Sequence, residues 1–212
     1  MGNSEVYRIH TSDDVNEAYA MAQRLLALAE TTCGCRPDVV ADAKTRTDTA
    51  LDRYLAVASV FVSLSIPAGL LSPVLEALDP HLGPDDRPGL HRDGSAYLLT
   101  DLTPGVVVAL RQLPPMAVTV LTPERPLPND LAELFLGVVN RDPATISWDV
   151  CWPGSHSDSG FQFGLNGDEL WHPEAPAGHS IYVHVAPSRP EQAHELAAAV
   201  GGSVLGEPAL GW

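Results

Sequence analysis

Two short motifs place a histidine and an aspartate two residues apart, His91-Arg92-Asp93 and His156-Ser157-Asp158. Imidazole and carboxylate groups from one strand edge converge on a metal, and such a pair supplies two of the three ligands in a facial iron(II) triad. The third ligand could be His172, His179 or His184, and of these we take His179. The set His156, Asp158 and His179 defines a metal-dependent enzyme hypothesis, with a divalent metal as its cofactor.

Two features of the sequence weigh against that hypothesis, and other classes of chemistry also lack support. An enzyme of this kind could use an arginine to bind a carboxylate group of a cosubstrate, and Arg189 follows His179 at a suitable spacing. Arg189, however, lies at the predicted start of a helix instead of in a strand. Eight histidines among many aspartates make a chance His-x-Asp motif common. The sequence also contains no Gly-x-Ser-x-Gly, Gly-x-Gly-x-x-Gly or Walker motif, so serine-nucleophile chemistry and nucleotide cofactors have no support. We therefore expect a binding protein without a cofactor more than an enzyme.

A polar loop and two tryptophans favour a binding surface. The run from Gly154 to Gly160 concentrates hydroxyl groups, His156 and Asp158 between two predicted strands. Loops on a rigid sheet commonly carry binding residues, although serine, aspartate and glycine are also ordinary turn formers. Tryptophan is enriched in interfaces because it offers a large rigid contact area, and it also fills cores. The candidate partner-binding residues are Trp152, His156, Asp158 and Trp171.

The charge balance narrows the class of partner. The 212 residues include 27 acids and 12 lysines or arginines, which gives a formal net charge of −15. Nucleic acids and anionic membranes are bound through lysine and arginine, so we expect neither as a partner. An acidic surface speeds the encounter with a basic protein, which is the partner that we expect. The alternative is that the charge serves solubility alone.

The composition and the N-terminal residues indicate a bacterial, cytoplasmic protein. All the basic residues except Lys44 are arginines, a bias typical of GC-rich bacterial genes. The first residues lack the basic and apolar segments of a signal peptide, and the longest apolar stretch, 55–71, is interrupted by serines and a proline. Three cysteines cannot form a closed disulfide framework, and we expect Cys33 and Cys35 to be free thiols.

Both ends of the chain carry a strand-helix-strand pattern. Residues 6–10 alternate as a strand, and a helix capped by the polar residues 11–14 follows with apolar positions at spacings of three and four. Near the C-terminus, a strand over 181–185 leads to a helix that a capping box at 188–191 opens, and a short strand over 203–205 comes last. The two patterns predict β-α-β units at both ends.

The middle of the chain alternates strands, helices and turns. We predict strands over 54–66, 106–113, 116–121 and 146–151, helices over 72–78 and after Asn129-Asp130, and a hairpin that joins 161–165 to 168–171 through Asn166-Gly167. Strands and helices mixed with antiparallel connections predict an α+β fold, a mostly antiparallel sheet with helices packed on it, in a single domain over 1–212. A ferredoxin-like arrangement of the terminal units is an analogy.

Three function hypotheses follow from these observations. The first is an inhibitor or immunity-type protein that neutralises a basic toxin or enzyme, because the chain is small and acidic and has no coherent catalytic set. The second is the metal-dependent enzyme with His156, Asp158 and His179. The third is a small-molecule-binding accessory protein in biosynthesis, since ferredoxin-like sheets are common scaffolds for such proteins.

Overall fold

The computed structural model describes residues 4–30, 36–154, 159–168, 170–171 and 178–211. The strands, numbered in chain order, are β1 (Glu5–Ser12), β2 (Asp38–Arg46), β3 (Phe61–Ile66), β4 (Gly89–Leu90), β5 (Ala96–Asp101), β6 (Ala117–Leu121), β7 (Arg125–Pro126), β8 (Ala144–Asp149), β9 (Gly160–Leu165), β10 (His179–Val185) and β11 (Ala209–Leu210). The helices are α1 (Val15–Leu28), α2 (Leu71–Leu78), α3 (Pro104–Arg111), α4 (Leu131–Val139) and α5 (Glu191–Val200), with short 3-10 helices at Leu51–Ala56, Ala68–Leu70 and Asp79–His81. The fold is α+β, as the sequence predicts.

The chain forms two compact units, which we describe separately. Unit 1 comprises Met1–Val40, Glu124–Asn129 and Pro143–Trp212, and unit 2 comprises Ala41–Pro123 and Asp130–Asp142. Whether both units belong to the single domain expected from the sequence stays a prediction.

Unit 1 is built on strands in the order β11-β1-β10-β9-β8, followed by the first residues of β2. The pairs β1–β10, β1–β11, β9–β10 and β8–β9 are antiparallel. β1 therefore lies between the two strands of the C-terminal strand-helix-strand pattern, so the two ends of the chain pack side by side. The ferredoxin-like analogy stays a prediction.

The core of unit 1 lies between this sheet and helices α1 and α5, which pack against β10. The carboxylate of Asp14 caps α1 by accepting a hydrogen bond from the backbone N–H of Asn16 at 2.8 Å. Trp148 and Phe161 stack with ring centroids 4.6 Å apart, and Tyr19 of α1 stacks on Phe163 at 6.3 Å. Burial of large side chains of this kind dominates core stability, and truncating one to alanine costs about 3–5 kcal/mol.

Unit 2 contains antiparallel pairings of β2 with β6, β6 with β3, β3 with β5 and β5 with β4. A buried cluster ties its 3-10 helix Leu51–Ala56 to the end of α4. The hydroxyl of Tyr54 donates to Asp142 Oδ2 at 2.7 Å, Arg53 donates to the same oxygen, and the Tyr54 ring packs on Phe135. Burial is the main cause that raises the pKa of Tyr54, so the phenol stays protonated.

The predicted strand over 54–66 begins later than expected. Residues 51–56 form a 3-10 helix, and the strand starts only at Phe61. Ser59 has a φ of 55°, a left-handed conformation that interrupts any extended run. The alternation of apolar residues therefore predicted a longer strand than the one that forms.

The predicted strand over 106–113 is wrong, because these residues lie in and just after helix α3. The Thr103 hydroxyl caps the helix by accepting a hydrogen bond from the Val106 N–H, and Pro104 occupies the first turn, where a missing N–H costs nothing. Val106, Val107 and Leu110 are buried, whereas Val108 is 55% exposed. This spacing fits one face of a helix, and it outweighs the β-propensity of three consecutive valines.

The Asn166-Gly167 turn has the predicted backbone, but the strand that follows it differs. Asn166 and Gly167 have φ values of 55° and 76°, and the N–H of Asp168 donates to the carbonyl of Leu165 at 3.2 Å. β9 then pairs with β10, through the register Ser180↔Gly164, and the described residues 168, 170 and 171 lie outside the strands. The two-residue turn is therefore part of a longer connection.

The last strand of the fold is β11, and the predicted strand over 203–205 does not form. Ser203 and Leu205 nevertheless each donate a backbone hydrogen bond to β1.

Among the described residues, no helix has the length and apolar character needed to cross a membrane.

Candidate functional site

The sheet of unit 1 has one apolar face and one polar face. Side chains alternate between the faces of a strand, and residues paired across strands share a face. Gln162 pairs with Ser147 on one side and with Tyr182 on the other, and His184 lies two residues beyond Tyr182. We call the face that carries Ser147, Gln162, Tyr182 and His184 the polar face. Apart from the half-buried Ser147, these side chains are buried, which is unusual for so polar a surface.

Gln162 is the centre of a hydrogen-bond network on the polar face. Its Oε1 accepts hydrogen bonds from Trp171 Nε1 at 2.5 Å and from His184 Nε2 at 2.9 Å. Its Nε2 donates to Ser147 Oγ at 3.0 Å. One amide thus uses both its acceptor and its donor, so its orientation is fixed by its neighbours.

The network sets the protonation state of His184. Because Gln162 Oε1 is only an acceptor, His184 Nε2 carries the proton, and Nδ1 accepts a hydrogen bond from Ser4 Oγ at 3.1 Å. His184 is fully buried, and this burial lowers its pKa to about 3. The imidazole is therefore neutral and has no access to solvent, and it links Ser4 to Gln162.

Trp171 stands at the exposed end of the network. Its indole N–H is bound to Gln162, and its ring meets the His184 ring edge-on with centroids 5.3 Å apart. The residue is only half-buried, so some of its surface is accessible to solvent. A rigidly held, partly exposed tryptophan is the kind of anchor found at interface hot spots.

An acidic groove lies in unit 1 where β2 and β8 are neighbours. Its volume is about 210 Å³, and it is lined by Asp38, Val40, Glu124, Ser147, Trp148 and Asp149. Burial is the main cause that raises the pKa of Asp38, and the nearby carboxylates of Glu124 and Asp149 raise it further, while Arg36 acts in the opposite direction. Ser147 belongs to both the groove and the Gln162 network, so the two features are contiguous.

The groove favours a bound cation. Three carboxylates repel one another, and the partly buried Asp38 also loses hydration. An ammonium or guanidinium group placed among them relieves both effects, since an opposite charge stabilises the ionised carboxylate.

Trp152, one of the predicted partner-binding residues, lies in the core. It is fully buried, its Nε1 donates to the backbone carbonyl of His184 at 2.9 Å, and its ring packs on Phe161. It offers no surface to a partner. His156 and Asp158, the other two members of that set besides Trp171, lie outside the described residues.

The metal hypothesis rests on the same two residues and on His179. His179 is 9% exposed, lies against Phe163 with centroids 6.1 Å apart, and has a pKa lowered mainly by burial. Within the described ranges, no three His, Cys, Asp or Glu side chains are grouped so as to hold a metal ion. With His156 and Asp158 outside those ranges, the metal site stays a prediction.

The other His-x-Asp motif forms a turn between β4 and β5. The carboxylate of Asp93 accepts hydrogen bonds from the N–H and the hydroxyl of Ser95, at 3.0 and 2.6 Å. These two bonds are the main reason that the pKa of Asp93 is lowered. The aspartate thus has a local structural role.

Cys151 departs from the expectation of a chain without disulfides, because it is disulfide-bonded. The other two cysteines of the chain, Cys33 and Cys35, were predicted to be free thiols and lie outside the described residues. Disulfides are typical of proteins from oxidising compartments, so the cytoplasmic location stays a prediction that this bond does not favour.

The acidic groove was not identified from the sequence. Asp38, Glu124 and Asp149 are far apart along the chain, and they meet because β2 and β8 are neighbours in the sheet. The available signal was an acid at the start of one strand and another at the end of a second.

Comparison with models of known families, with curated proteins and with solved structures finds no match.

Proposed function

We propose that this protein is a binding module for a basic protein, of the inhibitor or immunity type. The observation that carries the proposal is the acidic groove, in which Asp38, Glu124 and Asp149 surround a concave space of about 210 Å³. A net charge of −15 adds long-range attraction for a basic partner.

The groove and Trp171 have complementary roles in the proposal. The carboxylates receive arginine or lysine side chains of the partner, and the exposed part of the Trp171 ring supplies apolar contact area. Charged groups mainly set the rate of association, whereas buried aromatic anchors mainly set the rate of dissociation. The network through Gln162 and Ser147 holds the two parts in a fixed relation, which lowers the entropy lost on binding.

The test uses a fluorescent arginine-rich peptide as the probe and compares two triple variants. The first, Asp38→Asn/Glu124→Gln/Asp149→Asn, neutralises the groove. The matched control, Glu76→Gln/Asp101→Asn/Glu133→Gln, removes the same charge from exposed positions of unit 2. Fluorescence anisotropy gives the Kd of each protein for the peptide.

The proposal predicts that the groove variant binds the peptide about tenfold more weakly, since three partly exposed ion pairs of roughly 0.5 kcal/mol each are lost. The control variant should change Kd by less than about twofold at 0.15 M salt, because exposed charges that do not contact the peptide act on it only through screening solvent. Equal weakening in both variants would show that the peptide senses only net charge, and the groove would lose its proposed role.

A further inference from the structure

A cavity with a mostly apolar lining lies in unit 1, apart from the acidic groove. It has a volume of about 450 Å³ and lies between the end of α1, Pro37 and the segment 127–129. Its apolar wall is formed by Leu26, Ala29, Pro37, Leu127, Pro128 and Val150. None of these residues lines the groove, so the cavity is a separate feature.

The cavity has the dimensions and chemistry of a small-molecule site. Ligand pockets span about 300–1,000 Å³, are mostly apolar and carry a few polar groups that orient the ligand. Water against this apolar wall has few hydrogen-bond partners, so its displacement by a hydrocarbon group is favourable.

The polar groups that line the cavity define the other end of the ligand. They are Glu30 and Asn129, both exposed, and Glu30 follows directly on Ala29 of the wall. A carboxylate beside an apolar cavity favours a ligand with a hydrocarbon body and a positively charged head. The strong negative charge of the whole chain adds to this preference.

We propose that this cavity binds a small amphiphilic amine, with its hydrocarbon body against Leu26, Ala29 and Leu127 and its ammonium group at Glu30. The site does not depend on the protein partner proposed above. A protein with both sites binds a small amine and a basic protein through different residues.

Isothermal titration calorimetry with decylamine, decanol and decanoate tests the head group, at concentrations below micelle formation. Decylamine should bind with a stoichiometry of one, decanol more weakly and decanoate most weakly. Octylamine should bind roughly tenfold more weakly than decylamine, because two buried methylene groups are lost. Equal affinity for decylamine and octylamine would overturn the proposal, since only the charge would then matter.

Variants at the end of α1 locate the site. Ala29→Trp, at the residue that follows α1, fills the cavity and should abolish decylamine binding. Ala27→Trp, at an exposed position within α1, should leave it unchanged. Leu127→Trp is the second filling variant if Ala29→Trp does not fold. Retention of binding by a folded filling variant would overturn the proposal.

Charge at the mouth of the cavity is tested separately. Glu30→Gln should weaken decylamine binding by about threefold, the size of a partly exposed ion pair, and leave decanol binding unchanged. The groove variant Asp38→Asn/Glu124→Gln/Asp149→Asn should bind decylamine like the parent. Loss of binding in the groove variant would place the amine in the groove and refute the cavity as the site.

Discussion

His184 and Gln162 are joined by a buried hydrogen bond of 2.9 Å between His184 Nε2 and Gln162 Oε1, and the same oxygen holds the indole N–H of Trp171. The amide of Gln162 thus links the buried His184 to Trp171, which is partly accessible to solvent. Buried polar groups are costly unless they are satisfied, so the network is stable only as a whole.

Replacing Gln162 with methionine should destabilise the protein by about 1–3 kcal/mol, because His184 and Trp171 each lose a hydrogen-bond acceptor. Urea unfolding followed by far-UV circular dichroism measures the loss. The matched control is Gln23→Met, at an exposed position of α1, which should change stability by less than about 0.5 kcal/mol. Equal stability of the two variants would mean that the network contributes nothing.

The buried His184 should make the protein less stable as the pH falls. Its pKa drops from the ordinary 6.5 to about 3 in the folded protein, so between these values only the unfolded state takes up the proton. The contribution of His184 to the free energy of unfolding is therefore greatest above pH 6.5 and decreases towards pH 3, by an amount on the order of 4 kcal/mol. Burial lowers the pKa of His179 as well, so that residue acts in the same direction.

Urea unfolding at a series of pH values checks this prediction in three proteins. The decrease should be smaller in His184→Gln than in the parent, whereas His194→Gln, at an exposed position of α5, should follow the parent. Identical pH profiles for the parent and His184→Gln would contradict the assignment of a neutral, buried imidazole.

Gly167→Val should destabilise the protein by roughly 1 kcal/mol or more. Gly167 has a φ of 76°, a conformation that a β-branched residue resists. Asn166→Gly is the comparison, because glycine adopts the φ of 55° at that position without strain. Thermal unfolding should rank Gly167→Val well below the Asn166→Gly variant, and equal melting temperatures would refute the turn.

The disulfide of Cys151 should leave one titratable thiol among the three cysteines of the chain, because one bond uses two of them. Thiol titration of the protein unfolded without reductant measures this number. Cys33→Ser and Cys35→Ser then identify the partner, since only the variant that removes it frees Cys151. Three reactive thiols in protein purified without reductant would show that the bond does not form in solution.

Local patterns predicted much of the fold, and pairings between distant residues account for most of the errors. Helix α1 was predictable because its cap and its apolar stripe both lie within one short, continuous segment of the sequence. Helix α3 was missed because Val106, Val107 and Val108 have high β-propensity, which tertiary packing overrides. The strand that pairs with β9 depends on β10, more than ten residues further along the chain, and no turn motif encodes that choice.

The site was predictable only in part, for the same reason. The sequence identified Trp171, because a tryptophan near a sharp turn is conspicuous in the sequence. It did not distinguish Trp171 from Trp152, whose burial follows from the carbonyl of His184 on a distant strand. The acidic groove depends on strand order, which net charge alone does not reveal.

The rate at which the arginine-rich peptide associates with the protein tests the central claim most directly. Stopped-flow fluorescence at increasing salt separates association from dissociation in the parent, the groove variant, the unit 2 control variant and Trp171→Ala. The account predicts that salt slows association strongly in the parent and in the control, and much less in the groove variant, because steering charges are screened within about 10 Å at 0.1 M salt. Trp171→Ala should speed dissociation and leave association nearly unchanged. Two results would contradict binding of a basic partner at the acidic groove. In the first, the association rate of the parent does not depend on salt. In the second, the groove variant and the control variant show the same salt dependence.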